Sequence, residues 1–526
     1  MFDSIITKEQ IDFNEIENKV YDFVCEIGRQ IVKEILESID DKIKSTRPIE
    51  MRNKGKRKNC VKTIMGVVEY ERRVYINNNK KGKKYRYLLD ENVKIFENGR
   101  ISKNVVEKVL DAVVQTTSYR KAANEIEQMT QVQLSHETMR KLTMHVGEKI
   151  DKKEKEMVKL YKANKLEKGK KEIPILFEEA DGLWINLQGK DRKEQIERNK
   201  IAYEKKGKEY VIPKRVKAEL KLHESYEGWK KDSSRHEIVN KTYIAGFMST
   251  KEIREVREAK IYSNYKEEAI KYRVVNGDGA QWINKLADKN MIRQKDKFHI
   301  YQEIVKSIEG EKNRNEIIRM FENKEYKKIC AYIENLKYEV GGEEKQVKRL
   351  EQLKVYLSKD LERYTDLIEL PKAPKEIEYR NMGTMESQIF TIFSKRFKGR
   401  KAFSRKGATY LAKVSALFKE HKNSVRIEEI DEMAKREQYE DYADEYIKTL
   451  EKRYKKNYDA YITTRGKTKE GIEEEHTLKN YNVNEQFEPN SVRAIKELIR
   501  FENSSEITCW PTFFGAHKTY KNRKHS

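Results

Sequence analysis

Hydrophobic positions recur with changing periods along the chain, and each change marks a boundary. Ile16, Val20, Phe23, Val24, Ile27, Ile31 and Ile35 fall three and four residues apart, which predicts a helix over residues 1 to about 48, a packing or dimerisation element. Two β-rich runs follow, CVKTIMGVVEYERRVYI and KYRYLLDENVKI, and the NNNKKGK between them suits an exposed hairpin loop. Helical spacing returns in KNVVEKVLDAVVQ, SYRKAANEIEQ and HETMRKLTMHVGEKI, the last with Ser135 placed as its N-cap. Helix, short turn and second helix outline a helix-turn-helix, whose second helix would offer His136, Glu137, Arg140 and Lys141 to DNA bases. The charge-dense stretch from Asp151 to Lys171 is a helix or a linker, with a boundary near residue 170.

From residue 172 the pattern turns strand-like: IPILFEEADGLWINLQ, VKAELKLHESYEGW and NKTYIAGF could form a meander. A helical stretch around residues 251 to 270, YRVVNGD, another helix and KFHIYQEI then alternate helix and strand, which suggests a mixed sheet flanked by helices. Residues from about 305 to 370 are helical and highly charged, and residues from about 421 to 480 resemble them. The expected organisation is α/β and multidomain. Its parts are an N-terminal helix and hairpin region (1–95), a helix-turn-helix region and linker (96–170) and a first part of the core (171–304). A helical insertion (305–374), a second part of the core (375–420) and a C-terminal helical region with a basic tail (421–526) complete it.

Three acidic residues break these patterns. Alternate residues of a strand share a face, so Ile173, Ile175, Phe177, Leu183, Ile185 and Leu187 lie together, and Asp181 has their parity. A carboxylate there bears a desolvation cost of several kcal/mol unless a cation or hydrogen bonds offset it. Glu386 heads MESQIFTIFSKRF, with Ile389, Phe390, Phe393 and Phe397 following at the spacing of one apolar stripe, which centres it on a buried face. Asp278 lies between Gly277 and Gly279 at a strand-to-helix junction, where open sheets commonly place ligands. Each has a plainer reading: Asp181 in an exposed turn with Gly182, Asp278 as a helix cap, Glu386 favoured by the helix dipole. Together they suit a hard cation such as Mg²⁺, and two such ions can hold the attacking and leaving oxygens of a phosphoryl displacement. Glu179 has the parity to compete with Asp181 and Glu178 does not, while Asp296 is a weaker substitute for Asp278. Trp282 and His299 read as structural residues.

Charge adds a partner. The 526 residues carry 112 Lys and Arg against 88 Asp and Glu, a formal net charge of +24, and such a surface attracts polyanions. Nucleic acid is the first candidate, although a lysine-rich coding bias would give the same composition. Arg396, Lys398, Arg400, Lys401, Arg405 and Lys406 form a basic run after the third acid that could follow a phosphate backbone or simply be solvated. Cys25, Cys60, Cys330 and Cys509 make no CxxC pair, so neither a zinc ribbon nor a disulfide framework is suggested and a reducing cytoplasm fits. No export signal or membrane span is evident, and no GKS or GKT loop points to nucleotide hydrolysis.

The segments TIMGVVEYERRVY, YRYLLDE, SYRKAANEI, EADGLWINLQG, VVNGDGAQWI, KFHIYQ and NMGTMESQIFTIFSKRFKGRKAFSRKG resemble transposases of bacterial insertion sequences, DDE-type enzymes with an RNase H-like core, most closely the ISLre-type (Lre-two) family. The resemblance runs from about residue 60 to 412. It implies that Asp181, Asp278 and Glu386 are the catalytic, metal-holding triad, with Mg²⁺ or Mn²⁺ as two ions, and that the helices before Glu386 are an insertion in the core. It further implies cleavage at the element's ends and strand transfer into target DNA, terminal repeats recognised by the helix-turn-helix, a homodimer or higher assembly on DNA, and a nucleoid-associated protein without a membrane partner. A nuclease or resolvase that cuts without joining, and a non-catalytic DNA-binding derivative, are the alternatives.

Overall fold

The computed structural model describes residues 12–77, 85–93, 100–232, 235–288, 290–340, 343–358 and 382–421. The C-terminal helical region and basic tail expected over 421–526 lie outside these residues apart from residue 421, as does the end of the expected insertion. The chain divides into two compact units, residues 1–106 with 127–133 and 431–526, and residues 107–126 with 134–430.

In the first unit, α1 (Phe13–Thr46) starts at Asp12, whose side chain accepts from the Asn14 amide. It lays Ile35, Leu36, Ile39 and Ile43 on Met51, Val61, Val68, Tyr70 and Tyr75 of the hairpin β1 (Met51–Thr63) and β2 (Gly66–Asn77). The run CVKTIMGVVEYERRVYI therefore folds back on itself, turning at Gly66, whose φ of 110° suits glycine. β3 is only Tyr85–Arg86, antiparallel to Tyr75–Ile76, and the LLDENV expected to continue it is a helix, α2 (Leu88–Val93). Leu88 and Leu89 are both buried, which adjacent residues on a two-faced strand over one core would not be.

Three helices follow where the periodicity places them: α3 (Lys103–Gln115), α4 (Tyr119–Met129) and α5 (His136–Lys162), the last capped by Ser135. In the second unit α5 buries Met139, Leu142, Val146 and Gly147. Gly147 allows close approach to Tyr410 of a later helix, α15 (Arg405–Glu420), and any Cβ there would clash. Lys413 of α15 is buried against Asp151 (3.3 Å) and Glu154, so this part of the charge-dense stretch packs as helix.

The sheet of the second unit is mixed. β4 (Ile175–Leu187) leads through α6 (Gly189–Glu204) to β5 (Lys217–Tyr226), and a small hairpin, β6 (Trp229–Asp232) with β7 (Arg235–Ile238), precedes β8 (Thr242–Gly246). After α7 (Thr250–Asn264) come β9 (Tyr272–Gly277), the short α8 (Gln281–Asn284) and β10 (Ile292–Lys295). The order is β10-β9-β4-β5-β8; β4, β9 and β10 run parallel, while β5 is antiparallel to both β4 and β8. KFHIYQEI is not a strand but the start of α9 (Lys297–Ser307), capped by Asp296, with β10 just before it. α9 continues into α10 (Glu311–Glu322), α11 (Tyr326–Glu339) and α12 (Glu344–Ser358), a group with its own core around Ile304, Ile317, Phe321, Ile329, Ile333 and Leu353.

The chain returns as α13 (Met385–Gln388), a π-helical segment Ile389–Ser394 and α14 (Lys395–Phe397), then β11 (Ala402–Phe403) and α15. β11 pairs parallel with Asn186 and Leu187 of β4, whereas β9 pairs with Ile175 to Ala180. A notch in that edge of β4 is left at residues 181–185.

Candidate functional site

The face of the sheet with the parity of Asp181 carries two rows of polar groups. In the first, Glu179 of β4 lies opposite Glu224 of β5, Asn276 of β9 on one side and Tyr243 of β8 on the other. Glu179 is fully buried and accepts hydrogen bonds from Tyr226 Oη (2.7 Å), Asn276 Nδ2 (3.2 Å), the Gly383 amide (3.0 Å), the Thr384 amide (3.1 Å) and Thr384 Oγ1 (2.8 Å). Burial, and then the charge of Glu179, push the Glu224 carboxyl up to about 8. Tyr243 Oη donates to Gln388 Oε1 at 3.0 Å. Thr384 and Gln388 thus fasten both ends of α13 to the sheet, and Glu386 lies between them.

The second row is two residues further along β4, at the notch. Asp181 shares the face of the buried Phe177, Leu183 and Ile185, as its parity predicts, and is itself half-buried. Gly277 pairs with Ala180, so Asp278 leaves the end of β9 beside Asp181. The Asp181 carboxyl is raised to about 6, first by burial and then by the charges of Asp278 and Glu219, against the Gly182 amide (2.6 Å) and His299. Among the described residues Asp181 has no ion-pair partner. Asp278 accepts from the Ala280 amide at 2.7 Å, a local turn and not the cap of α8, whose N-cap residue is Ala280.

Glu386 differs from its expectation. It is exposed together with Phe390, because the buried stripe of its helix runs through Met385, Gln388, Ile389, Ile392, Phe393 and Phe397. That stripe is centred one residue away from the one through Phe390, and one residue is about 100° of helix rotation. Its charge is felt by Asp296, which is buried, accepts from the Phe298 amide at 2.9 Å and is raised by burial first. The structure therefore brings Asp181 and Asp278 together, while the charge of Glu386 is felt at Asp296. Among the described residues no group of three or more His, Cys, Asp or Glu side chains is gathered tightly enough to hold a metal ion.

Several residues here have roles that differ from the sequence expectation, Glu179 among them, which parity made a competitor of Asp181. Glu179 and Glu224 hold the helix of Glu386; their signal was the shared parity of Glu179 with Asp181 and of Glu224 with Tyr226. His299, read as structural, acts on both Asp181 and Asp296. Trp282 does pack structurally, donating to Glu219 Oε1 (3.0 Å) beneath the Lys221 ammonium, 4.8 Å from its ring. On the opposite face Glu178 is held well below the usual carboxylate range: burial alone would raise it, but Arg257 and Arg273 outweigh that, with His223 at 3.0 Å.

The basic run separates into two groups. Arg396 is buried with its guanidinium 4.2 Å from the Tyr119 ring, and burial lowers its pKa, so it is a packing residue and not one that follows a phosphate backbone. Arg405 is engaged by Gln195 and lies 4.8 Å from the Phe247 ring, and Lys401 donates to the Arg396 carbonyl at 3.0 Å. Lys398, Arg400 and Lys406 are exposed. At the head of α5, His136, Arg140 and Lys141 are exposed, and Arg140 is held by Glu137 through two bonds of 2.7 and 2.8 Å.

A profile of the uncharacterised protein family UPF0236 matches residues 6–433, a span that takes in the mixed sheet, the four-helix group and all three candidate acids. The chain belongs to UPF0236. One relative, the UPF0236 protein TTE0610/TTE0881/TTE1053/TTE2432 of Caldanaerobacter subterraneus subsp. tengcongensis, is 25% identical over 423 residues, 78% of each chain. A second from the same organism, TTE1650/TTE2708, is 25% identical over 78% of this chain and 74% of its own. A third, whose name joins eleven loci beginning with TTE0033, is 24% identical over 79% of both chains. So many paralogues in one genome are typical of mobile-element proteins. Among solved structures, the Drosophila P element transposase strand transfer complex gives a weak likeness. It covers 65% of this UPF0236 chain and 84% of that chain at 12% identity, with a TM-score of 0.20, too low to carry an argument. No helix among the described residues is long and apolar enough to cross a membrane.

Proposed function

We propose that this UPF0236 protein is a DDE-type DNA transposase that cleaves DNA at the ends of an insertion sequence and joins them to target DNA. The observation that carries the reading is the pairing of Asp181 and Asp278 at the notch of a mixed sheet, where Asp181 makes no ion pair among the described residues and is raised by burial and by the neighbouring carboxylates. A strand order in which β4, β5 and β8 are successive antiparallel neighbours and β9 and β10 run parallel to β4 on its other side supports an RNase H-like core. Multiple genomic copies of its relatives fit a mobile element.

The chemistry of the donors suits a hard cation, since all are carboxylate oxygens and a dication would relieve the repulsion that helps lift Asp181, but the three are not gathered in this structure, so binding the metal would have to draw Glu386 toward the pair. Asp181 and Asp278 would hold Mg²⁺ or Mn²⁺, two ions in all, with Glu386. Bound there, the metal would supply Lewis-acid activation of water and stabilisation of the leaving oxygen. Glu386 is exposed and free to face substrate, while Glu179 and Tyr243 fix the helix that carries it. Lys398, Arg400 and Lys406 would touch phosphates, and His136, Arg140 and Lys141 would read terminal repeats as the head of a helix-turn-helix, Arg140 after leaving Glu137. Pairing two ends calls for a dimer or higher assembly on DNA.

The test is a Mg²⁺-dependent cleavage and strand-transfer assay on element-end DNA, with wild type, Asp181→Asn, Asp278→Ala and Glu386→Ala. The reading expects each variant to lose both steps while still binding DNA. Wild-type cleavage by both Asp278→Ala and Glu386→Ala would remove the triad assignment. Cleavage without joining of pre-cleaved ends would leave a nuclease or resolvase instead.

A further inference from the structure

The first unit carries a basic surface that the proposed catalysis does not use. β1 lies at the edge of its sheet: it pairs along its length with β2, and among the described residues its other edge is met only at Lys62, which bridges to Ile101. Arg52, Lys54, Lys56, Arg57 and Lys58 are all exposed along it, and among the described residues none of these five makes an ion pair. The arginines of the inner strand contrast with them. Arg72 is paired with Asp90 at 2.7 Å, and Arg73 with Asp40 at 2.7 Å and Asp41 at 2.5 Å. Within one hairpin, then, cations on β2 are neutralised by acids and those on β1 are not.

The ladder makes the imbalance costly. Lys56 lies directly opposite Arg73 and Arg57 opposite Arg72, and like charges across a strand pair destabilise it; Lys58 faces Glu71, without a salt bridge. A bulge between Asn53 and Lys56 adds one residue to β1, and Gly55 at its centre, with φ of 91°, has open space where a Cβ would be. Edge strands do use lysine to prevent edge-to-edge pairing, but one or two charges and a bulge serve that end. Five unneutralised cations within seven residues exceed it. Same-face residues of a strand stand about 6.8 Å apart, near twice the roughly 3.4 Å advance per phosphate along one strand of duplex DNA.

We propose that β1 is a docking surface for the phosphate backbone of double-stranded DNA, read without regard to sequence. The proposal rests on the choice of DNA as partner made above and not on the triad, so its assay is run in EDTA, where cleavage plays no part. Full-length protein is titrated into a random-sequence 20-bp duplex at several KCl concentrations, and the slope of log K against log salt is compared between wild type and Lys54→Gln/Lys56→Gln/Arg57→Gln/Lys58→Gln. Each lost contact removes about 0.9 from the slope, so the quadruple variant is expected to lose about 3.6, with a thermal melt that does not fall, because all four side chains are exposed and like-charge repulsion across the ladder is relieved. If it fails to fold, Lys54→Gln/Lys56→Gln and Arg57→Gln/Lys58→Gln decide the matter separately, each losing about 1.8. A slope within about 0.5 of wild type, or a loss confined to binding of phosphatidylserine vesicles, overturns the proposal. A lost slope in a protein that never cleaves would sustain it and sink only the catalytic reading.

Discussion

Glu179→Ala should be among the most damaging single substitutions in the second unit, although it removes neither a candidate catalytic acid nor an apolar core residue. The carboxylate accepts from Tyr226, Asn276, the Gly383 amide and both donors of Thr384, at 2.7 to 3.2 Å. A buried donor left without an acceptor costs about 1–3 kcal/mol, and one Ala substitution strands several. Water entering the vacated space and the relief of repulsion with Glu224 return part of that. The net loss should be roughly 3–5 kcal/mol, the range seen when one partner of a buried ionic network is removed. Glu179→Gln keeps the volume and one acceptor oxygen, and should lose about half as much. Urea unfolding at pH 7 reads the total, and hydrogen–deuterium exchange reads where it falls, with the amides of residues 383–388 exchanging faster than those of β10. A loss below about 1 kcal/mol, or unchanged exchange over 383–388, would refute the view that this carboxylate fastens α13 to the sheet.

Two further expectations follow from the same rows and their surroundings. Glu224, raised from 4.5 to about 8, binds its proton more tightly in the folded protein, so its contribution is complete below about pH 4.5 and disappears as the pH rises through 8. Wild type should therefore lose roughly 2–5 kcal/mol between pH 5 and 9 that Glu224→Gln does not lose, measured as the difference of their urea midpoints across that range; parallel pH profiles would contradict it. Arg396→Ala should destabilise by about 2–4 kcal/mol through loss of packing on Tyr119, whereas Lys398→Ala and Arg400→Ala should change melting by less than about 0.5 kcal/mol; equal effects would contradict the separation of the basic run.

Much of this was legible from period alone, and the failures have definite causes. Alternation in β4 placed Asp181 on the apolar face, and the helices of 103–162 lie where their 3–4 spacing put them. Short apolar runs gave the errors. KFHIYQEI and LLDENV contain too few residues for a period to show, and the capping side chain of Asp296, which decides the first, acts through an amide two residues on. Glu386 was set on the wrong side of its helix because Ile389 and Phe390 are equally apolar, and only the packing of Ile392 and Phe393 chooses between stripes a residue apart. Parity with Tyr226 sets the face of Glu224 on β5, but its meaning depends on lying opposite Glu179, and strand register is a property of the folded sheet.

The contrast between the two rows bears on why the acids are there. Glu179 and Asp181 are two residues apart on one strand and one face, and both lose water on folding. For Glu179 the fold gathers five donors from two strands and a helix entry, as a structural carboxylate requires. For Asp181 it supplies one, the amide of the next residue, and then places Asp278 and Glu219 where their charges make ionisation harder. Among the described residues Asp181 makes no ion pair, and His299 offsets only part of what burial, Asp278 and Glu219 do to it. Perturbed carboxylates are where chemistry is expected, and the two raised groups here differ in access: Glu224 is fully buried in the row that holds the helix of Glu386, whereas Asp181 is half-buried at the notch beside Asp278.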